Sequence, residues 1–136
     1  EIFNPATNEW SFGPSLQVRR SGASAVAYND KIFVIGGSDG TRRLKTVEVY
    51  DPLVSPNFKL QEKQLNSIRS NFAVTVTDDK ILIMGGNCSY SLVTNSTEMY
   101  DNKDKEWKVS KPMKFARIGF QALTLTDYTL NYGDFV

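Results

Sequence analysis

A block of about 50 residues occurs twice in this chain, and parts of it return at both ends. The segment 31–37, Lys-Ile-Phe-Val-Ile-Gly-Gly, returns at 80–86 as Lys-Ile-Leu-Ile-Met-Gly-Gly, and the segment 46–51 returns at 96–101. A fixed period of this length predicts a repeat architecture, in which each repeat is one supersecondary unit that packs against its neighbours.

Each full copy predicts four short strands. The pairs Asn29-Asp30 and Asp78-Asp79 suit two-residue hairpin turns, because Asn and Asp tolerate positive φ. The strand at 32–35 is apolar at every position, which predicts cover on both faces. A third strand is predicted around 47–50 and a short fourth strand around Phe58. Repeated sheets with two apolar faces are best covered by sheets of their own kind, which predicts the blades of a β-propeller.

The segment 58–68 has a second interpretation. Residues 61–64 are Gln-Glu-Lys-Gln and favour a helix, and Leu60, Leu65 and Ile68 lie near helical spacing. A single helical turn is the alternative here, although the matching part of the repeat at 11–14 reads as a strand followed by a loop with proline.

The repeated markers resemble the kelch repeat. Arg20 recurs as Arg69 and Arg117, and each full copy carries a double glycine and a Glu-x-Tyr-Asp segment, followed by Trp107 in one copy and Phe58 in the other. The resemblance covers nearly the whole chain. It implies an all-β fold, a fragment of a kelch-type β-propeller with four-stranded antiparallel blades.

The repeat divides the chain into four parts. Residues 1–12 are predicted as the outer half of a blade, 13–60 as the first full repeat, 61–109 as the second, and 110–136 as the inner half of a degenerate blade. That last copy has Gly133-Asp134 where the double glycine is expected. Because three blades are too few to close a ring, we expect a homodimer that completes a six-bladed ring.

The resemblance also implies a binding face. In kelch propellers of the substrate-adaptor type, partner peptides bind the loops that enter the first strand and leave the second. The matching positions are Arg20, Ser21, Ser38, Asp39, Arg69, Ser70, Asn87 and Arg117. A ring of guanidinium groups beside hydroxyls suits acidic peptide motifs, because the planar fork donates two parallel hydrogen bonds. The alternative is that each arginine binds backbone carbonyls of the adjacent blade.

The composition limits the function. The sequence has no histidine, so the usual metal sites and histidine-dependent catalysis lack their parts, and we expect no catalytic residues, metal or cofactor. A net charge of +1 gives no field for nucleic acid, and no apolar run is long enough to span a membrane. Cys88 is the single cysteine, which favours a reducing compartment and hence the cytoplasm.

We therefore expect a protein-interaction module rather than an enzyme. The resemblance favours the substrate-recognition propeller of a BTB-kelch adaptor of a cullin ubiquitin ligase. The alternative is an actin-binding kelch protein associated with the cytoskeleton, and part of a propeller enzyme is the remaining interpretation.

Overall fold

The computed structural model describes residues 1–89 and 92–125, and this part of the chain contains ten β-strands and no helix. The strands are β1 (Ile2–Asn4), β2 (Glu9–Ser11), β3 (Ser24–Tyr28), β4 (Lys31–Ile35), β5 (Val47–Tyr50), β6 (Lys59–Leu60), β7 (Ala73–Thr77), β8 (Lys80–Met84), β9 (Thr97–Asp101) and β10 (Glu106–Ser110). The prediction of an all-β fold is confirmed. No helix in the described ranges is long and apolar enough to cross a membrane.

The strands form two four-stranded antiparallel sheets and one separate hairpin. The first sheet has the order β3-β4-β5-β6, the second has the order β7-β8-β9-β10, and β1 pairs with β2. The predicted hairpin turns are confirmed, because Asn29, Asp30, Asp78 and Asp79 all have φ between 49° and 58°. The two sheets lie within 24–60 and 73–110.

One face of the first sheet packs against one face of the second. The ring centroids of Phe33 and Tyr100 are 5.5 Å apart across this interface. The Tyr28 hydroxyl also donates to the Asp79 carbonyl at 2.7 Å. Ile81 in the second sheet is fully buried, whereas the matching Ile32 in the first sheet is 43 % exposed. Within the described residues the first sheet is therefore covered on one face rather than on both.

The hairpin β1–β2 has the geometry of the outer strands of a full sheet. Phe3 lies opposite Trp10 with 5.2 Å between ring centroids, as Tyr100 lies opposite Trp107, also at 5.2 Å. The predicted relation between the first residues and the outer part of the repeat is thus visible in the backbone register.

The segments around the helix alternative and the third copy contain no further strand in the described residues. The segment 61–68 forms an irregular loop, so the helical turn considered for 58–68 is absent. Residues 111–125 run beside the second sheet without joining one of their own. The predicted second strand and glycine position of the third copy, which fall in 126–136, lie outside the described residues.

Candidate functional site

The two repeated arginines form buried ion pairs with the repeated glutamates. Arg20 Nε lies 3.0 Å from Glu48 Oε1, and Arg69 Nη2 lies 2.8 Å from Glu98 Oε1. All four side chains are at most 1 % exposed. Each glutamate lies on the third strand of its sheet and each arginine lies just before the first strand, so the pair joins the entry loop to the sheet interior.

The remaining donors of Arg20 and Arg69 bind backbone carbonyls. Arg20 Nη1 donates to the carbonyls of Gly36 and Thr46 at 2.8 and 2.9 Å. Arg69 Nη1 donates to the carbonyl of Gly85 at 2.9 Å. These carbonyls belong to the arginine's own sheet and not to the adjacent one. The expectation that the side chains of Arg20 and Arg69 contact a partner is corrected by this burial, because their guanidinium groups are occupied by the fold.

Arg117 repeats the backbone contacts but not the side-chain pair. Its carbonyl accepts the Gly86 N–H at 2.8 Å, just as the Arg69 carbonyl accepts the Gly37 N–H at 2.9 Å. Its side chain is exposed, and no carboxylate in residues 1–89 or 92–125 pairs with it. Arg117 thus occupies the structural position of Arg69 without the buried glutamate.

The predicted polar residues meet at one end of the strands. Ser21 and Ser38 exchange two backbone hydrogen bonds, of 2.9 and 2.8 Å, and Ser70 and Asn87 exchange two of 3.1 and 2.8 Å. In each repeat the bridge joins the loop that enters the first strand to the loop that leaves the second. The sequence-predicted residues Ser21, Ser38, Ser70 and Asn87 therefore belong to one surface, at the same end of both sheets.

A cleft of about 620 Å³ opens on this surface between the two sheets. Its lining contains three of the sequence-predicted residues, together with residues that sequence reasoning missed. The full lining is Ser21, Gly22, Ser38, Gly40, Thr41, Arg42, Arg43, Ile68, Ser70, Asn71 and Ser89. A second cleft of about 410 Å³ adjoins it and adds Arg19, Arg20 and Asp39. The surface is thus rich in hydroxyl groups and in cations.

Arg42 and Arg43 supply charge to the larger cleft. The Arg42 side chain is 81 % exposed, and its Nε lies 3.5 Å from Asp39 Oδ2. Arg43 Nε donates to the Ser70 hydroxyl at 3.0 Å, which draws this guanidinium across the cleft from the first repeat to the second. Two cations therefore border one cleft of a chain whose overall charge is close to neutral.

These two arginines have no counterparts in the second repeat. Arg43 bridges Ser38 where Val93 bridges Asn87, so Arg43 matches Val93. By the same register Arg42 matches Leu92, since the Arg42 carbonyl accepts the Asp39 N–H as the Leu92 carbonyl accepts the Cys88 N–H. The signal available in the sequence was this departure from the repeat, at a loop where both copies are otherwise parallel.

Asp39 shapes its own loop. Its Oδ1 accepts the backbone N–H groups of Thr41 and Arg42, both at 2.9 Å. These hydrogen bonds, with that from Arg42 the larger, hold the pKa of the Asp39 carboxyl below its ordinary value. The carboxylate that we expected to repel an acidic ligand is thus partly neutralised by the loop that it closes.

Metal chemistry finds no cluster of ligands here. Across residues 1–89 and 92–125, no group of three or more His, Cys, Asp or Glu side chains is arranged to hold a metal ion. Cys88 is a partly exposed free thiol whose Sγ lies 3.6 Å from the Leu92 carbonyl.

Antiparallel four-stranded sheets that stack face to face, with the arginine, double glycine and glutamate at the same place in each, are blades of a β-propeller. Comparison with known proteins agrees. The Kelch motif family matches residues 19–54 and 68–114. The chain belongs to the kelch-repeat family.

The relatives are longer than this chain. Kelch-like protein 35 of Mus musculus is 29 % identical over 93 % of this chain and 22 % of its own length. Kelch repeat and BTB domain-containing protein F47D12.7 of Caenorhabditis elegans is 28 % identical over 91 % of this chain and 22 % of its own. The chain thus spans about a fifth of these curated relatives. The solved structure of YjhT superposes with a TM-score of 0.70 at 20 % identity, over 89 % of this chain and 40 % of that one, which shows a common fold.

Proposed function

We propose that this chain is a protein-interaction module that binds an acidic peptide segment in the cleft between its two blades. The observation that carries the proposal is the pair Arg42 and Arg43, which border the cleft in one repeat and are replaced by Leu92 and Val93 in the other. A residue that recurs in every blade serves the architecture, whereas a charged pair found in one blade needs another explanation. Binding a partner's carboxylates is that explanation.

The cleft also has the chemistry of a peptide site. Hydroxyl groups of Ser21, Ser38 and Ser70 lie beside the two cations and can donate to carboxylate or backbone carbonyl oxygens. Ile68 supplies an apolar contact at the same site. A few directed polar groups around a concave surface fix the orientation of a ligand, while the apolar contact adds burial.

The repeated residues support this site without touching the partner. Arg20 and Arg69 hold the entry loops to the blades, and Ser21 and Ser70 begin directly after them in the chain. Asp39 and Asn87 shape the loops at the rim, and Arg117 extends the same surface toward the third copy. We expect binding without catalysis, since the sequence offers no histidine as a general base.

Exchanging the two cleft arginines for the residues of the second repeat tests the site. In Arg42→Leu/Arg43→Val, the affinity for an N-acetylated hexaglutamate peptide is expected to fall at least about tenfold, because charge-assisted hydrogen bonds are lost. Isothermal titration calorimetry measures the affinity, and hexaglutamine serves as the uncharged peptide. The melting temperature should stay unchanged, because Arg42 is exposed and neither side chain belongs to the core.

Lys103→Ala is the matched control for this exchange. Lys103 is an exposed cation in the turn between β9 and β10, at the opposite end of the strands from the cleft. Its removal changes the net charge without changing the cleft. An unaltered affinity of the double variant, or an equal loss in Lys103→Ala, would refute the proposed site.

The proposed role of the whole protein is that of a substrate-recognising adaptor of a cullin ubiquitin ligase, in the cytoplasm. It is supported by a relative whose name includes a BTB domain and by a surface suited to peptides. Affinity purification of the endogenous full-length polypeptide, with an antibody raised against this chain, should recover a cullin subunit. The same purification from cells that lack the gene is the control. Recovery of the full-length polypeptide without a cullin contradicts the adaptor role and leaves the cleft as a peptide site for another kind of protein.

A further inference from the structure

The third repeated arginine lies in a segment that matches the entry loops of both complete blades. In the second blade, Glu98 accepts the backbone N–H groups of Asn66 and Ser67 at 2.6 and 3.2 Å, in addition to the Arg69 side chain. In the first blade, Glu48 does the same for the loop that ends at Arg20. Each entry loop is therefore built to receive one glutamate carboxylate.

The matching loop before Arg117 has no such glutamate among the described residues. By the spacing in the other blades, Lys114 and Phe115 supply the two backbone N–H groups, and the Arg117 guanidinium supplies the charge. The backbone of this loop is already docked as in the other repeats, since the Arg117 carbonyl accepts the Gly86 N–H and the Gly119 N–H donates to Asn71. The loop has the geometry and the positive charge for a third glutamate.

The chain also carries a third glutamate without a third arginine. Phe3 pairs with Trp10 as Tyr100 pairs with Trp107, so Glu1 stands in the position of Glu98. Glu1 is exposed, and no cation pairs with it in residues 1–89 or 92–125. Glu1 and Arg117 are thus complementary in charge and in place within the repeat, at opposite ends of the two-blade stack.

We propose that two copies of this chain associate head to tail, so that Glu1 of each copy enters the entry loop at Arg117 of the other. The hairpin β1–β2 of one copy and the segment 111–125 of its neighbour then contribute to one shared blade. The blade faces favour the same arrangement. Ile32 is 43 % exposed, whereas the matching Ile81 is fully buried by a neighbouring blade, so the first blade presents a face of the kind that packs in this fold.

A second copy fits better than a fold-back within one copy. Joining both halves inside one chain would make a ring of three blades, whereas propellers typically have at least about four. Two copies joined at two identical junctions give six. Because the contact uses different surfaces on each copy, the rotation must close for a dimer to result.

Charge reversal with mixing tests this arrangement. Light scattering of the wild-type chain at micromolar concentration is expected to give about twice its mass of 15.3 kDa. In Glu1→Arg alone or Arg117→Glu alone, both junctions join like charges, so the dimer dissociation constant should rise about a hundredfold or more. An equimolar mixture of the two variants should recover the dimer, because each junction then joins an arginine to a glutamate.

The mixture separates a contact between chains from all other effects. Both side chains are exposed, so circular dichroism should show that each variant remains folded, and Lys103→Glu provides a charge reversal away from both surfaces. A wild-type mass of 15.3 kDa, a dimer that both single variants retain, a mixture that stays monomeric, or an assembly larger than two copies would each overturn the proposal.

Discussion

Replacing Arg69 with methionine is expected to lower the free energy of unfolding by about 3–5 kcal/mol, because the change leaves a buried charge without its partner. Glu98 is 1 % exposed and loses the 2.8 Å contact to the guanidinium, while the carbonyl of Gly85 loses its donor. Urea denaturation followed by tryptophan fluorescence measures the change, since Trp107 packs against Tyr100 in the same blade.

Lys63→Met is the matched control. Lys63 forms an ion pair of 3.2 Å with Glu106, but both side chains are about half exposed. An exposed pair contributes about 0–1 kcal/mol, so the same kind of substitution should cost little here. If Arg69→Met and Lys63→Met destabilised the chain equally, the buried pair would not hold the blade as described.

Replacing Gly86 with alanine is expected to lower the free energy of unfolding by at least about 2 kcal/mol, because backbone strain and a steric clash add together. Gly86 has φ of 89°, and a Cβ atom there would lie 2.5 Å from the Ser70 carbonyl oxygen and 2.8 Å from Phe72 Cβ. The double glycine thus lets the loop after one blade's second strand approach the entry loop of its own blade.

Gly40→Ala separates the two causes. Gly40 has a similar φ of 95°, but the nearest atom to its Cβ position is Arg19 Nη2 at 4.0 Å. Thermal unfolding should therefore show a clearly smaller loss for Gly40→Ala than for Gly86→Ala. Equal losses would mean that backbone strain alone explains the glycine, and that the close approach to Ser70 is unimportant.

The fold was predictable because the repeat reports the architecture twice. The hairpin turns at 29–30 and 78–79, the strand order and the outer hairpin at the first residues all follow from markers that recur in register. The exposure of Ile32 was not predictable in this way, since an apolar strand does not reveal whether a neighbouring blade is present.

The role of the repeated arginines could be predicted only in part. Arg20 lies 28 residues before Glu48 and Arg69 lies 29 before Glu98, a spacing that pairs the two residue types in each copy. The family resemblance drew attention to the arginines as binding residues, whereas their recurrence with the glutamates pointed to the fold. Whether a guanidinium faces solvent or a carboxylate depends on how the entry loop folds back, and this is set by tertiary contacts.

The cleft residues could not be predicted from the markers, because they are the positions that the markers omit. Arg42 and Arg43 become a counterpart of Leu92 and Val93 only when the backbone register of the two loops is known. Ser21, Ser38 and Ser70 could be predicted because they adjoin repeated residues. Functional positions that differ between copies need a structure to align them.

The most direct test of the account follows the arginine Nε–H signals by nuclear magnetic resonance while hexaglutamate peptide is added. The account predicts that the signals of Arg42 and Arg43 shift in proportion to the bound fraction, while those of Arg20 and Arg69 stay in place. A shift at Arg69 with no change at Arg42 and Arg43 would contradict it, because the residues that build the blades would then be the residues that bind.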